Sequence, residues 1–338
     1  MPGLNVFDGD AFSLQALTAR VNKLPEVPTK IGDLGIFEEG GVPVTTVSIE
    51  RRDEGLTLVA SSPRGGPGES VGGEGRKLRR FDIPHFQRDD SVIADEVQNI
   101  RAFGTESTLE TVLERLDFKM ARHTRSLDFT LENLRLGAVT GVILDKDGST
   151  LVDLYDAWGI DAPSAIDFAL NSSSTDVRGK CQQVLDAVED ALEGQNVPTV
   201  YGLAGDTFFN SLVTHTAVEK TYANWQAAVN LRNDPRLPFE FSGISWIRYH
   251  TKPKAKAARN NTPMIAAKSV RFIAGGVPEL FITRFGPADY EDAVNTVGLP
   301  RYARQWPMEN GKGRNLEVQT NALCMCTQPA SLQSGSTP

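Results

Sequence analysis

Apolar residues recur at helical spacing in AFSLQALTARVNK, residues 11–23, where Leu14, Leu17 and Val21 share a face with Phe12 nearby. The next stretch, LPEVPTKIGDLGIFEEGGVP, is broken by Pro25, Pro28, Gly32, Gly35 and Gly40 and predicts an extended segment. Its Ile31, Leu34, Ile36 and Phe37 have no local apolar face, so they predict small hooks buried on a neighbouring molecule. VTTVSIE (44–50) and GLTLVA (55–60) are rich in β-branched residues and predict strands. KLRRFDIPHF (77–86) predicts a returning strand with Phe81 and Ile83 on one face. Between them, residues 63–75 hold six glycines and two prolines, a run too costly in backbone entropy to fold on its own contacts. The whole of 44–86 reads as a long two-stranded excursion with a flexible tip. Such a ribbon is marginal alone and must rest on something else.

The strongest helical pattern runs from Glu106 to Leu136. Leu109, Val112, Leu113, Leu116, Met120, Leu127, Leu131 and Leu134 form one stripe, with neither proline nor glycine in the span. That predicts a helix on the order of 45 Å long. Glu106, Glu110, Glu114 and Asp117 lie toward its N-terminus, and Lys119, Arg122 and Arg125 form a basic block in its middle. Gly137 predicts its end. Residues 139–156 predict a hairpin around Asp147-Gly148. Further helices are predicted over 175–193, from an N-cap at Asp206, and over 216–231. Strands are predicted over 239–250, 269–274 and 279–284, followed by the alternating NLEVQTNALCMCTQ. Helices and strands mix without a regular βαβ order, so the fold class is α+β.

The 338 residues are 40% hydrophobic and 23% charged, enough for a sizeable core and about two domains. A net charge of −8 argues against a protein whose main task is to grip nucleic acid. Three cysteines, Cys181, Cys324 and Cys326, suggest reduced thiols. The motifs for chemistry are weak. Gly68–Gly72 matches G-x-S-x-G around Ser70, but neither the strand nor the helix of a nucleophile elbow flanks it. No phosphate loop is present, and Gly311-Lys312 lacks the hydroxyl residue that would follow. Cys324 and Cys326 share a strand face, yet His85, His123, His215 and His250 show no ligand spacing, so structural thiols are the better reading. His123, beside the apolar stripe, reads as a packed or interface histidine. Asp145–Gly148 is a turn, not a calcium loop. Asp89, Asp90, Asp95 and Glu96 read as a solvated or subunit-facing acidic cluster, with acid/base work as the alternative. Arg64, Arg76, Lys77, Arg79 and Arg80 suit ion pairing to an acidic neighbour at least as well as nucleic acid. No cofactor or metal is expected.

Five blocks carry a resemblance: LQALTARVNKLPEVP, LGIFEEGGV, SSPRGGPG, FDIPHFQRDDSVIADEVQNIRAFG and ENLRLGAVTGVILDKDGSTLVDLYDAWGI. In this order they resemble the major capsid proteins of lambda-like tailed bacteriophages, the phage capsid protein E family. The resemblance implies the tailed-phage capsid fold of Hong Kong 97 type. On this sequence it implies an N-terminal arm (1–50), an extended loop (51–85) and a peripheral domain (86–160) with spine helix 106–136 and hairpin 139–156. An axial domain (161–300) and a C-terminal return segment (301–338) would follow. It further implies a non-enzymatic subunit of the virion, assembled in the host cytoplasm into pentamers and hexamers around packaged double-stranded DNA that is contained but weakly contacted. Expected inter-subunit contacts are Arg64, Arg76, Lys77, Arg79 and Arg80 in the loop, Ile31, Leu34, Ile36 and Phe37 in the arm, and Glu114, Lys119, Arg122 and Arg125 on the spine helix. With no long helical leader before the arm, a separate scaffolding protein is expected, together with a portal and a decoration or cement protein. Lys77, alone near the loop, gives no reason to expect covalent cross-links. Two rival readings stay open: an α+β hydrolase using Ser70, and a nucleic-acid-binding protein using the Arg76–Arg80 cluster.

Overall fold

The computed structural model describes residues 13–25, 29–52, 76–97, 112–193, 195–223, 237–250 and 264–338. Helix α1 (Leu14–Asn22) is N-capped by Ser13, whose hydroxyl accepts from the Ala16 amide, and it buries Leu17, Thr18 and Val21. The broken segment after it is less extended than its prolines and glycines predict. A 3-10 turn at Gly32–Leu34 leads into β1 (Glu38–Gly41). Strands β2 (Thr46–Arg52) and β3 (Arg76–Asp82) pair antiparallel from Thr46 opposite Asp82 to Arg52 opposite Arg76. Pro84 cannot donate to a ladder, and the returning strand breaks there before β4 (His85–Ile93) begins. The strand expected at 55–60 and the glycine tip lie outside the described residues.

A single turn, α2 (Ala94–Val97), precedes the long helix α3 (Val112–Thr140), whose expected first residues, 106–111, also lie outside the description. Its stripe is buried at Leu116, Met120, Leu127 and Leu134. Gly137 does not end it. A Cβ there would stand 2.7 Å from the Ile143 Cα, so this glycine admits the following hairpin to the helix face. The stop is Gly141, at φ +84°, a left-handed conformation that other residues resist. The hairpin of β5 (Val142–Leu144) and β6 (Thr150–Asp153) is shorter than expected, because α3 claims its start and α4 (Leu154–Trp158) its end. Asp153 caps α4 by accepting from the Tyr155 and Asp156 amides.

After β7 (Ile166–Asp167), helix α5 (Val177–Ala191) is capped by Asp176 and buries Val177, Cys181, Val184 and Val188 at helical spacing. Then come β8 (Thr199–Ala204), α6 (Asp206–Val213) and α7 (Thr216–Ala223). Asp206 is not the N-cap the sequence suggests but the first helical residue, with its carboxylate taken by Arg248 and His250. Strands β9 (Phe239–Phe241), β10 (Ile244–Arg248), β11 (Ser269–Gly275), β12 (Phe281–Phe285), β13 (Tyr302–Pro307), β14 (Gly313–Cys326) and β15 (Ser334–Ser336) complete the chain.

Two sheets organise these strands. One runs β7-β15-β11-β8-β10-β9; the other runs β1-β12-β14-β13, with β4 also on β14. The fourteen-residue β14 is the seam of the second sheet, taking β12 at its end and both β13 and β4 along its earlier part. The division expected at 161–300 and 301–338 does not follow strand partnership. β12 joins the sheet of β4 and β13, while β15 returns to the six-stranded sheet. Both are closed by long-range pairing that alternation alone does not reveal. Leu116, Met120 and Leu127 of α3 pack with Leu17, Val21, Val92, Ala303, Leu316 and Val318, binding the arm helix, spine helix and sheet together. Around the six-stranded sheet, Phe168, Phe208, Trp246 and Phe272 form a ring of edge and stacked contacts at 5.3–6.0 Å.

Candidate subunit-contact surfaces

The buried side of α3 carries charge as well as leucine. Asp128 and Arg301 pair at 2.7 Å with side chains 7% and 6% exposed. Arg301 also donates to the Val21 and Leu24 carbonyls at the end of α1. One turn on, the buried Glu132 accepts from the amides of Ile31 (3.0 Å) and Gly32 (3.3 Å) and from the Tyr249 hydroxyl (3.1 Å). Arg135, the next charge along, pairs with Glu39 and lies over the Phe37 ring at 5.8 Å. These polar junctions tie the arm, the spine helix and the end of β10 into one subunit. Sequence reading missed all of them, although Asp128, Glu132 and Arg135 sit at i, i+4 and i+7 beside the apolar stripe.

The arm hooks pack to different degrees on the chain's own core. Ile31 is fully buried in the chain's own core, not exposed for a neighbour, because the Glu132 carboxylate fixes its amide against α3. Leu34, Ile36 and Phe37 are partly buried against the same core, with Phe37 5.3 Å from the Phe281 ring.

The spine-helix charges divide by face. Lys119 is buried: it donates to the Ser91 carbonyl and pairs with Glu96 (2.7 Å) and Asp90 (3.4 Å), an internal tie between α3, β4 and α2. Asp90 also pairs with His123 at 2.8 Å. Burial opposes the charge of Asp90, but the His123 hydrogen bond, the Ser91 amide and Lys119 outweigh it and hold the pKa below 3.8. Glu96 and Asp90 of the acidic cluster thus serve packing, while Asp89 accepts from Gln87. Glu114, Arg122 and Arg125 are exposed.

On the ribbon, Arg79 and Arg80 are exposed, and Phe81 is buried 6.2 Å from the Trp158 ring. The register sets Arg52 opposite Arg76 and Arg51 opposite Lys77. Arg64 and Ser70 lie outside the described residues. Burial pushes the thiols of Cys181, Cys324 and Cys326 up to about 12, far from nucleophilic use. Among the described residues no group of three or more His, Cys, Asp or Glu side chains is placed to hold a metal ion, and no helix is long and apolar enough to cross a membrane.

Known proteins give the arrangement its context. The chain is 23% identical over 351 residues to the major capsid protein of Salmonella phage Felix O1, covering 95% of each. It is 24% identical over 339 residues to the major capsid protein of Pseudomonas phage KPP10, covering 96% of each. Its fold matches a subunit of the mature capsid of bacteriophage PhiM1, with TM-score 0.53 at 11% identity over 99% of this chain and 92% of that one. It also matches the capsid of Myoviridae phage XM1, with TM-score 0.52 at 11% identity over 94% and 95%. The arm, ribbon, long helix and two sheets are the tailed-phage capsid fold. The model of the phage major capsid protein E family matches residues 13–337, and the chain belongs to that family.

Proposed function

We propose that this chain is the repeating subunit of a phage head, closing with copies of itself into five- and six-membered rings around packaged double-stranded DNA. A structural role in the virion capsid comes with family membership. The observation that carries the finer reading is the ribbon. It belongs to neither large sheet: β2 and β3 pair with each other alone among the described strands, and an isolated two-stranded ribbon is marginal unless it rests on another surface. Arg64, Arg76, Lys77, Arg79 and Arg80 are its contacts with a neighbour, and Glu114, Arg122 and Arg125 are those of the spine helix. Heterologous contacts of this kind close rings, and rings close a lattice. A net charge of −8 suits a container that holds DNA without gripping it. Assembly takes place in the host cytoplasm with a scaffolding protein and a portal, and a decoration protein reinforces the lattice. Negative-stain microscopy of the full chain expressed together with its scaffolding protein tests the reading. Rings and closed shells are expected; a monodisperse monomer throughout would overturn it.

A further inference from the structure

α3 is exposed on its outer side, where Arg115 of the same helix lies over the Phe118 ring at 5.7 Å. Phe118, Arg122, Arg125 and Phe129 are exposed at steps of four, three and four residues, a single stripe about 16 Å long. Phe118 is 59% exposed and Phe129 37%. Neither arginine forms a salt bridge within the described residues.

A second surface has the opposite character. The segment from Asp289 to Leu299 is pinned from below. Tyr290 and Ala293 are buried with Tyr302, the Leu299 amide donates to the Tyr302 hydroxyl (2.9 Å), and the Gly298 amide donates to the Val42 carbonyl (3.0 Å). Its upper side carries the exposed carboxylates of Asp289, Glu291 and Asp292, together with Val294 at 64% and Val297 at 60% exposure. Apolar residues held out beside acids mark a surface built to be covered.

We propose that the Asp289–Val297 loop of one copy lies along the Phe118–Phe129 stripe of a neighbouring copy. The two arginines at the centre of the stripe meet the carboxylates, and the phenylalanines at its ends cover the valines. Each copy gives a loop to one neighbour and a stripe to another, a contact that propagates a ring or lattice. The ribbon arginines Arg79 and Arg80 offer the same charge, and reversing them separates the two surfaces. This inference rests on the subunit reading above.

Charge reversal tests it in the full chain. Arg122→Glu with Arg125→Glu, and separately Glu291→Arg with Asp292→Arg, should each lower the yield of shells at least about tenfold. All four changes together should restore it to within about threefold. Circular dichroism of each unassembled variant should match the unchanged chain, since all four sites are exposed. Normal assembly of either double variant overturns the proposal. So does loss without recovery in the combined variant, which assigns the stripe to another occupant, or recovery on reversing Arg79 and Arg80 instead. If the unchanged chain forms no shells, the subunit reading itself fails. The pairing is then read by mixing Arg125→Cys and Asp292→Cys chains under oxidation, where absence of a cross-linked dimer overturns it.

Discussion

The Asp128–Arg301 pair is where a small change should have the clearest consequence. Both side chains are more than nine-tenths buried, and the guanidinium holds the end of α1 through the Val21 and Leu24 carbonyls. Asn22 completes the tie by donating to the Arg301 carbonyl at 2.9 Å. Asp128→Asn keeps the shape and removes the charge, leaving a cation in a low-dielectric site without its counterion. Breaking a buried pair in this way costs about 3–5 kcal/mol. At roughly 2.1 cal/mol/K of unfolding entropy per residue, 338 residues lose on the order of 4–7 °C in Tm for that change. Asp128→Leu combined with Arg301→Met removes both charges and fills the space with apolar atoms. It should stay within about 1–2 kcal/mol of the unchanged chain. Differential scanning calorimetry of unassembled subunits reads the global effect. Hydrogen exchange at the α1 amides reads the local one, which should rise in Asp128→Asn and not in the double variant. Equal losses in both variants, or none in Asp128→Asn, would refute the view that an unpaired buried charge is the cost.

Gly141→Ala should destabilise by about 2 kcal/mol or more, since it combines a left-handed backbone with a Cβ 2.2 Å from the Tyr155 ring; denaturant midpoints decide this, and a loss under about 0.5 kcal/mol would contradict it. Asp90 supplies a pH test. Its pKa is lowered in the folded state, so the unfolded chain binds that proton more readily, and stability rises with pH across the window below 3.8. The contribution is complete above that window and is lost as pH falls through the lowered value. Asp90→Asn should flatten the acid limb of urea midpoints taken between about pH 2 and 5, and an unchanged limb would show that the His123 and Lys119 contacts carry no proton linkage.

The helices were legible because their burial follows a local period. Leu116, Met120, Leu127 and Leu134 on α3, and Val177, Cys181, Val184 and Val188 on α5, face the core as their spacing demands. The errors came where a residue serves something distant in sequence. Gly137 looks like a helix stop, but its small size is needed by Ile143 across the turn. Ile31 looks stranded in a polar, broken segment. Its burial is made possible by a carboxylate 101 residues away, which itself takes a hydroxyl 117 residues further on. β12 and β15 alternate like any strands, and nothing in that alternation says which sheet receives them.

The contact surfaces were legible by composition and illegible by face. Lys119, Arg122 and Arg125 form one basic block in the sequence, yet Lys119 turns inward to Asp90 and Glu96 while the two arginines turn outward. Helical phase separates them once the apolar stripe is taken as the inner reference: Lys119 adjoins Leu116 and Met120, whereas Arg122 and Arg125 follow Phe118 on the far side. The same phase places Asp128, Glu132 and Arg135 at the inner edge, where a solvated flank would be the ordinary reading. Ion pairing there gains little over well-packed apolar side chains, since desolvation offsets the attraction. What the charges add is selectivity of position. An apolar seam would hold the arm in any sliding register, whereas the Glu132 carboxylate is satisfied only where two successive amides and one tyrosine hydroxyl converge on it.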